Sequence, residues 1–223
     1  MNMGFLDELK SQADSLRKEK DAHHSQLNTN AEKVDARMRQ TFTYLNDLAK
    51  QLEIIKPVSA QTFELHGVGK FDKLMLQDFF ADYRQKKFND TEVFDSVTFQ
   101  FKHYSPNVLM LKKDMPNQID QCEDALWRHN LKFQREDVRN EDGKMRWVEF
   151  TVPYSVNADM SVTGDYENAQ LIFKLKNFER FETTTVAFYA ATFGESVLED
   201  LARMILGHPN RFVAQGQLIG MIG

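Results

Sequence analysis

The sequence is poor in cysteine: Cys122 is the only one among 223 residues. A single thiol cannot form an intramolecular disulfide, so a secreted disulfide scaffold is excluded and a reducing compartment is favoured. No stretch approaches the roughly 18 consecutive apolar residues of a membrane span. Charged residues begin at Asp7, before the apolar region of a signal peptide could form. We therefore expect a cytoplasmic protein without a membrane span.

A surplus of basic residues is also missing. The chain has 28 Lys and Arg against 33 Asp and Glu, a net charge of −5, whereas proteins that bind nucleic-acid backbones normally carry a basic surplus. Phe99 and Phe101 beside Lys102 have the arrangement of an aromatic RNA-binding strand. Their alternation, however, places them on the face that we expect to be buried. Nucleic acid is therefore not an expected partner.

Patterns that support catalysis or cofactor binding are scarce. The six histidines show no spacing typical of zinc ligands, and residues 66–70 lack both the spacing and the hydroxyl residue of a phosphate-binding loop. No Gly-x-Ser-x-Gly motif is present. We expect no metal, no cofactor and no catalytic residues. An enzyme whose site is assembled from His66, His103 and nearby carboxylates stays open as an alternative.

Proline and glycine are nearly absent from the first quarter of the chain. Residues 1–56 contain no proline, one glycine, nine basic and nine acidic residues, whereas residues 57–223 hold all five prolines and 16 of the 18 phenylalanines. Because proline removes a helical hydrogen bond, Pro57 is a natural end for a preceding helix. We predict three units: a helical hairpin or coiled-coil segment at 1–56, a Phe-rich α+β domain at 57–209 and an apolar tail at 210–223.

Apolar residues in the N-terminal segment recur at alternating intervals of three and four. One series runs from Leu6 to Leu27 and a second from Val34 to Ile55, and the register slips between them near a capping-box pattern that begins at Thr29. Two antiparallel helices, which we favour, or one long helix with a stutter explain this pattern.

Such a narrow apolar stripe is unstable alone, so it must pack on another copy or on the chain's own sheet. We favour another copy. The predicted oligomer interface consists of Leu9, Leu16, Leu27, Val34, Met38, Leu45, Leu48 and Leu52.

Alternation with a period of two is typical of the remaining chain. It predicts strands at 97–101, 148–154 and 171–175, and a run of β-forming residues predicts another strand at 183–189. An Asp-Gly pair within residues 140–144 predicts a hairpin turn.

Three helices are predicted among these strands. They follow Asp72, Asp114 and Ser196, and the last begins with a capping box and ends at Gly207. Because the strands mostly follow one another directly, the predicted fold class is α+β with a mainly antiparallel sheet and about three packing helices.

These features predict a non-enzymatic interaction or assembly protein. It would form a dimer or higher oligomer through its N-terminal helices and present the α+β domain to an unidentified protein partner. Trp147 lies out of phase with its apolar neighbours and the tail is apolar, so the predicted partner contacts are Trp147, Phe212, Leu218 and Ile219. The alternative is a carrier that holds a small apolar ligand or lipid in a Phe-lined cavity of the sheet domain.

Overall fold

A computed structural model describes residues 5–89 and 91–222. Residues 1–4, Asp90 and Gly223, which belong to the predicted units, lie outside the described residues. The fold is α+β, with a long N-terminal helix followed by a mainly antiparallel sheet and a few helices. In chain order the elements are α1 (Phe5–Ile55), β1 (Phe63–Leu65), β2 (Gly69–Phe71), β3 (Met75–Phe88), β4 (Thr91–Lys113), α2 (Pro116–Arg128), β5 (Gln134–Arg139), β6 (Met145–Asp165), β7 (Gln170–Lys176), β8 (Thr183–Tyr189), α3 (Glu195–Leu206), α4 (Phe212–Gln215) and β9 (Gln217–Ile222).

The N-terminal segment is one helix, α1, and the favoured hairpin interpretation is wrong. The apparent slip in register consists of two successive four-residue intervals, from Asn30 to Val34 and from Val34 to Met38. An unbroken helix absorbs such a stutter by a small change of local twist. Thr29, the predicted cap, lies inside α1, where its hydroxyl donates to the carbonyl of Ser25 (3.0 Å).

The main sheet has the strand order β3-β4-β6-β7-β8-β9, and all of its neighbours are antiparallel. The long strand β6 has different neighbours at its two ends: residues 145–151 pair with β5, and residues 159–165 pair with β7. The sheet therefore forks along β6. The short strands β1 and β2 form a separate hairpin.

Two hydrophobic cores lie along the long strands β4 and β6. The first, which we call the α1 core, joins α1 and α3 to the inner face of the sheet through residues such as Met38, Phe99 and Phe173. The second, the α2 core, joins α2 and the β1–β2 hairpin to the other end of β6. Phenylalanine rings contact one another in both cores, so the concentration of phenylalanine after Pro57 serves packing.

The prediction of a helix after Asp72 is wrong, because this segment forms β3. A register shift between Gln77 and Phe80 inserts one extra residue into β3, and Asp78 has a φ of 57° there. The irregularity lets Phe79 stack on Phe101 (ring centroids 5.7 Å apart) although Leu76 also faces the core. The resulting three-residue interval imitates a helical period.

The other local predictions agree with the structure in their main features. The strands predicted from alternation lie within β4, β6 and β7, and the strand predicted from β-forming residues is β8. Gly143 takes a φ of 76° in the β5–β6 turn. The helices predicted after Asp114 and Ser196 are α2 and α3, although the residue that precedes α3 is Gly194 and no side chain caps it. Gly207 ends α3 in the left-handed conformation that glycine permits.

The apolar tail docks on its own domain. Phe212 is fully buried against Phe188 (5.0 Å between ring centroids), and β9 adds to the sheet beside β8. The prediction that Phe212 contacts a partner is therefore corrected, because its ring has no exposed surface.

Candidate functional site

Helix α1 has two parts with different surroundings. Its C-terminal part packs on the sheet, whereas every side chain described from Leu6 to Gln26 is exposed. The exposed fractions of Leu6, Leu9 and Leu16 are 65%, 46% and 58%. We call residues 6–26 the projecting segment. At about 1.5 Å per residue it is about 31 Å long.

The predicted oligomer interface is corrected in its second half. Val34, Met38, Leu45 and Leu52 are at most 3% exposed, because the chain's own sheet covers them. In the same core Leu48 is partly buried, and Leu27 is half-buried where the projecting segment begins. Within a single chain these residues pack against the sheet of the same chain. This is the other arrangement that the sequence allowed for the apolar stripe of α1. Of the eight residues of the predicted oligomer interface, only Leu9 and Leu16 keep a large exposed surface.

Polar contacts fix the packed part of α1 at the point where the projecting segment leaves the domain. The side-chain amide of Asn30 donates to the backbone carbonyl of Tyr166 (2.9 Å). The Asp35 carboxylate accepts from the backbone N–H of Phe94 (2.7 Å), and Arg37 donates to a carbonyl just after β8 (3.1 Å). Burial, with a smaller contribution from the charge of Asp35, raises the pKa of Tyr166 to about 12. The projecting segment therefore extends from a fixed base.

Sequence reasoning missed Asn30 as an anchor. The signal was present, because Asn30 occupies a position of the apolar stripe between Leu27 and Val34 and is only 6% exposed. A buried amide in such a stripe requires hydrogen-bond partners, and the β6–β7 turn supplies them.

The exposed leucines are in phase with the packed stripe. At about 100° per residue, the stripe positions from Leu6 to Ile55 stay within a band about 140° wide along one helix face. The side of α1 that binds the sheet in its second half is therefore the side that carries Leu9 and Leu16 in its first half. This continuous stripe favours burial of its free half by another apolar surface.

Charged residues beside the free stripe favour one orientation of a helix pair. With Leu6 at heptad position a, the e positions are Lys10, Arg17 and His24, and position g includes Glu19. A parallel pair places each g position near an e position of the other helix, so Glu19 meets His24. An antiparallel pair would instead place e positions together, with basic residues facing basic residues. The residues at positions e and g therefore favour a parallel pair of helices.

The edge strand β9 is a second exposed apolar surface. The exposed fractions are 51% for Leu218, 56% for Ile219, 52% for Met221 and 74% for Ile222. Among the described residues β9 pairs with β8 alone. The predicted contact residues Leu218 and Ile219 are thus placed on a free sheet edge.

Trp147, the remaining predicted contact, is engaged within its own chain. Its indole N–H donates to the Glu149 carboxylate (2.8 Å). The Lys112 ammonium lies 3.4 Å from the ring centroid and the Arg146 guanidinium lies 4.8 Å from it. These cations cover part of a half-buried ring.

A polar cleft of about 440 Å³ lies where β5 and β7 separate along β6. On one side the Asp78 carboxylate accepts from Lys102 (2.5 Å), and the Asp159 carboxylate accepts from the Gln100 amide (2.7 Å). Its lining comes from β3, β4, β6, β7 and the end of α2, so no sequence spacing could have grouped these residues.

Two further basic residues belong to the lining of this cleft. His129 and Lys176 line it, and Arg128 precedes His129 at the end of α2. Burial first, and then the charges of Arg128 and Lys176, lower the pKa of His129. The cleft is therefore walled mainly by charged and amide groups.

The residues considered for an enzymatic site lie in different environments. His66 is exposed in the β1–β2 turn. His103 is fully buried between the rings of Phe63 and Phe101 (4.7 and 5.1 Å between centroids), and neither imidazole nitrogen has a hydrogen-bond partner in residues 5–89 and 91–222. Burial lowers the pKa of His103 to about 3, an effect that the Asn177 backbone partly opposes. Cys122 is a buried thiol of the α2 core, and burial raises its pKa.

Within the part of the chain that the structure describes, no cluster of three or more His, Cys, Asp or Glu side chains could hold a metal ion. The helices of this part include none with the length and hydropathy required to cross a membrane.

Comparison of the chain with protein-family models, with curated proteins and with solved structures gives no match.

Proposed function

We propose that this chain is a non-enzymatic assembly protein that associates with a second copy of itself through the projecting segment of α1. The observation that supports this proposal is the exposed leucine stripe of residues 6–26, which continues the stripe buried against the sheet. In the proposed pair the two projecting segments lie parallel, and each covers the leucines of the other.

The leucine side chains of the projecting segment supply the stabilisation of the proposed pair. The packed part of α1 provides a helical start, so the projecting segment does not bear the cost of helix nucleation. It still exposes Leu6, Leu9 and Leu16 to water. Complete burial of a leucine side chain contributes about 1.5–3 kcal/mol, so a second stripe supplies the stabilisation that the segment lacks.

The polar stripe positions limit the size of the oligomer. Lys20 occupies position a and His23 position d of the same heptad series. A single lysine at an a position reduces stability and favours one register and one oligomeric state. We therefore propose a dimer of projecting segments.

In this proposal the α+β domain is the part presented to other proteins. Its sheet has one face covered by α1 and α3, while the opposite face carries polar side chains such as Thr98, Ser161 and Lys174. The polar cleft opens at the fork of this sheet. The apolar-carrier alternative receives less support, because the phenylalanine rings pack on one another and the cleft has a polar lining.

The test is the mass in solution of a charge variant, measured by light scattering. We expect the double variant Leu9→Glu and Leu16→Glu to have at most half the mass of the unmodified protein, because pairing would bury unpaired carboxylates. The matched control is Ser11→Glu and Ser15→Glu, which adds the same charge to the opposite face of the same helix. The control should keep the original mass. An unchanged mass for the leucine variant, or a single-chain mass for the unmodified protein, contradicts the proposal.

A further inference from the structure

The strands at the two ends of the order β3-β4-β6-β7-β8-β9 differ sharply in charge. The edge strand β3 carries Asp78, Asp82, Arg84, Lys86 and Lys87, whereas β9 carries no charged residue and no proline. Charges, prolines and bulges are the usual means by which an edge strand avoids pairing with another chain. Within Gln217–Ile222 the only such device is a bulge at Ile219. The β3 edge is therefore protected, and the β9 edge is left open.

We propose that β9 pairs in an antiparallel manner with β9 of a second copy of this chain, across a two-fold axis. The pair would extend the sheet continuously from one chain into the next and would satisfy the outward backbone groups of both edges. An antiparallel pair of identical strands is an isologous contact, which closes after two chains.

The absence of charge on β9 argues for this occupant. An identical β9 brings only uncharged residues to the contact, so no ionic side chain loses its water there. Pairing with β3 of another copy would bring Asp82, Arg84 and Lys86 against the apolar strand, and desolvation of these groups would oppose it. The charges on β3 thus select the β9–β9 pair and disfavour head-to-tail growth through the sheet.

The exposed side chains of β9 supply the apolar contacts of this pair. Leu218, Ile219, Met221 and Ile222 are all more than half exposed in the single chain. Since successive side chains of a strand point to opposite faces, the pair would bury apolar surface on both faces of the extended sheet.

This contact is separate from the projecting segment and does not depend on it. A chain with two different two-fold interfaces forms a closed tetramer where the geometry permits closure, and an open string of chains where it does not. The inference therefore predicts an assembly larger than a dimer when both surfaces are intact.

The test uses the full chain with Leu9→Glu and Leu16→Glu, which removes the helix contact. We expect this protein to have twice the mass of one chain by light scattering. Adding Ile219→Lys and Met221→Lys should halve that mass, because lysines would then face each other across the pair. The matched control adds Phe80→Lys and Gln85→Lys, two exposed positions of the β3 edge, and should leave the mass unchanged. A single-chain mass before the β9 lysines are added overturns the inference, and so does a doubled mass that survives them.

Hydrogen exchange gives a result that does not require the β9 variants to fold. In the protein with Leu9→Glu and Leu16→Glu, the backbone amides of residues 217–222 that point away from β8 should exchange slowly at high protein concentration and at least tenfold faster after dilution to single chains. Exchange that is independent of concentration overturns the inference. If only the helix proposal fails, the leucine variant keeps the mass of the unmodified protein and the β9 lysines still halve it.

Discussion

At the scale of single residues, His103 shows what the sequence could not reveal. The alternation of β4 places it on the inner face, but its complete burial depends on Phe63 of the distant β1–β2 hairpin. A histidine in such a place stays neutral, because its surroundings cannot solvate the charged form. The residue once considered for a dispersed enzymatic site thus forms part of the packing between strands.

We predict that His103 makes the fold sensitive to acid. The pKa of His103 is near 6.5 in the unfolded chain and about 3 in the folded chain, so the unfolded state binds the proton more readily. Its contribution to stability is complete above about pH 6.5 and is lost towards pH 3 at up to about 1.4 kcal/mol per pH unit. Chemical denaturation at several pH values should show that His103→Phe removes this slope. His66→Gln, which changes an exposed histidine, should retain it; equal slopes in all three proteins contradict the prediction.

A second residue-scale prediction concerns Gly164, where β6 approaches α1. A Cβ atom at this position would lie 2.7 Å from Val34 Cγ1 and 2.9 Å from Tyr166 Cε1. We expect Gly164→Ala to lower the free energy of unfolding by about 1–3 kcal/mol, because such overpacking forces the helix from the sheet. Gly194→Ala is the control, since nothing lies within 4 Å of the added atom. Similar unfolding midpoints for the two variants in urea would show that α1 is not held this closely.

At the scale of elements, apolar spacing predicted the type of most strands and helices but failed at two irregular places. The stutter near Val34 resembled a break between helices, and the irregularity at Asp78 gave β3 a helix-like interval. In both cases one interval of the apolar pattern fits two kinds of structure. The surface against which the segment packs decides between them. The sheet explains both, because it supports α1 across the stutter and pairs with β3 beyond the irregularity.

The orientation of the proposed helix pair can be tested by cross-linking. In a parallel pair Leu9 faces its own copy at a d position, so Leu9→Cys should form a disulfide-linked dimer under mild oxidation. The native Cys122 is 1% exposed and will not compete. Ser15→Cys, on the opposite face of the helix, is the control and should remain uncross-linked. A Leu9→Cys protein that gives no more cross-linked dimer than this control contradicts the parallel arrangement.

At the scale of the whole molecule, the sequence predicted the α+β class and the end of the first helix just before Pro57, because both follow from local composition and period. It did not predict the cleft, whose lining is brought together by the fork of the sheet, nor the free edge at β9, which depends on strand order. The division of α1 into a packed and a projecting part was equally hidden, since the stripe has the same period in both. The two parts differ because the sheet covers the packed part of α1 and does not reach the projecting segment.

The most direct test of the central claim is amide hydrogen exchange of residues 6–26 in the unmodified protein at several protein concentrations. Pairing of the projecting segments predicts slow exchange at high concentration and rapid exchange after dilution, while residues 31–52 stay protected by the sheet throughout. Exchange of residues 6–26 at one rate across the whole concentration range, whether slow or fast, would contradict the account.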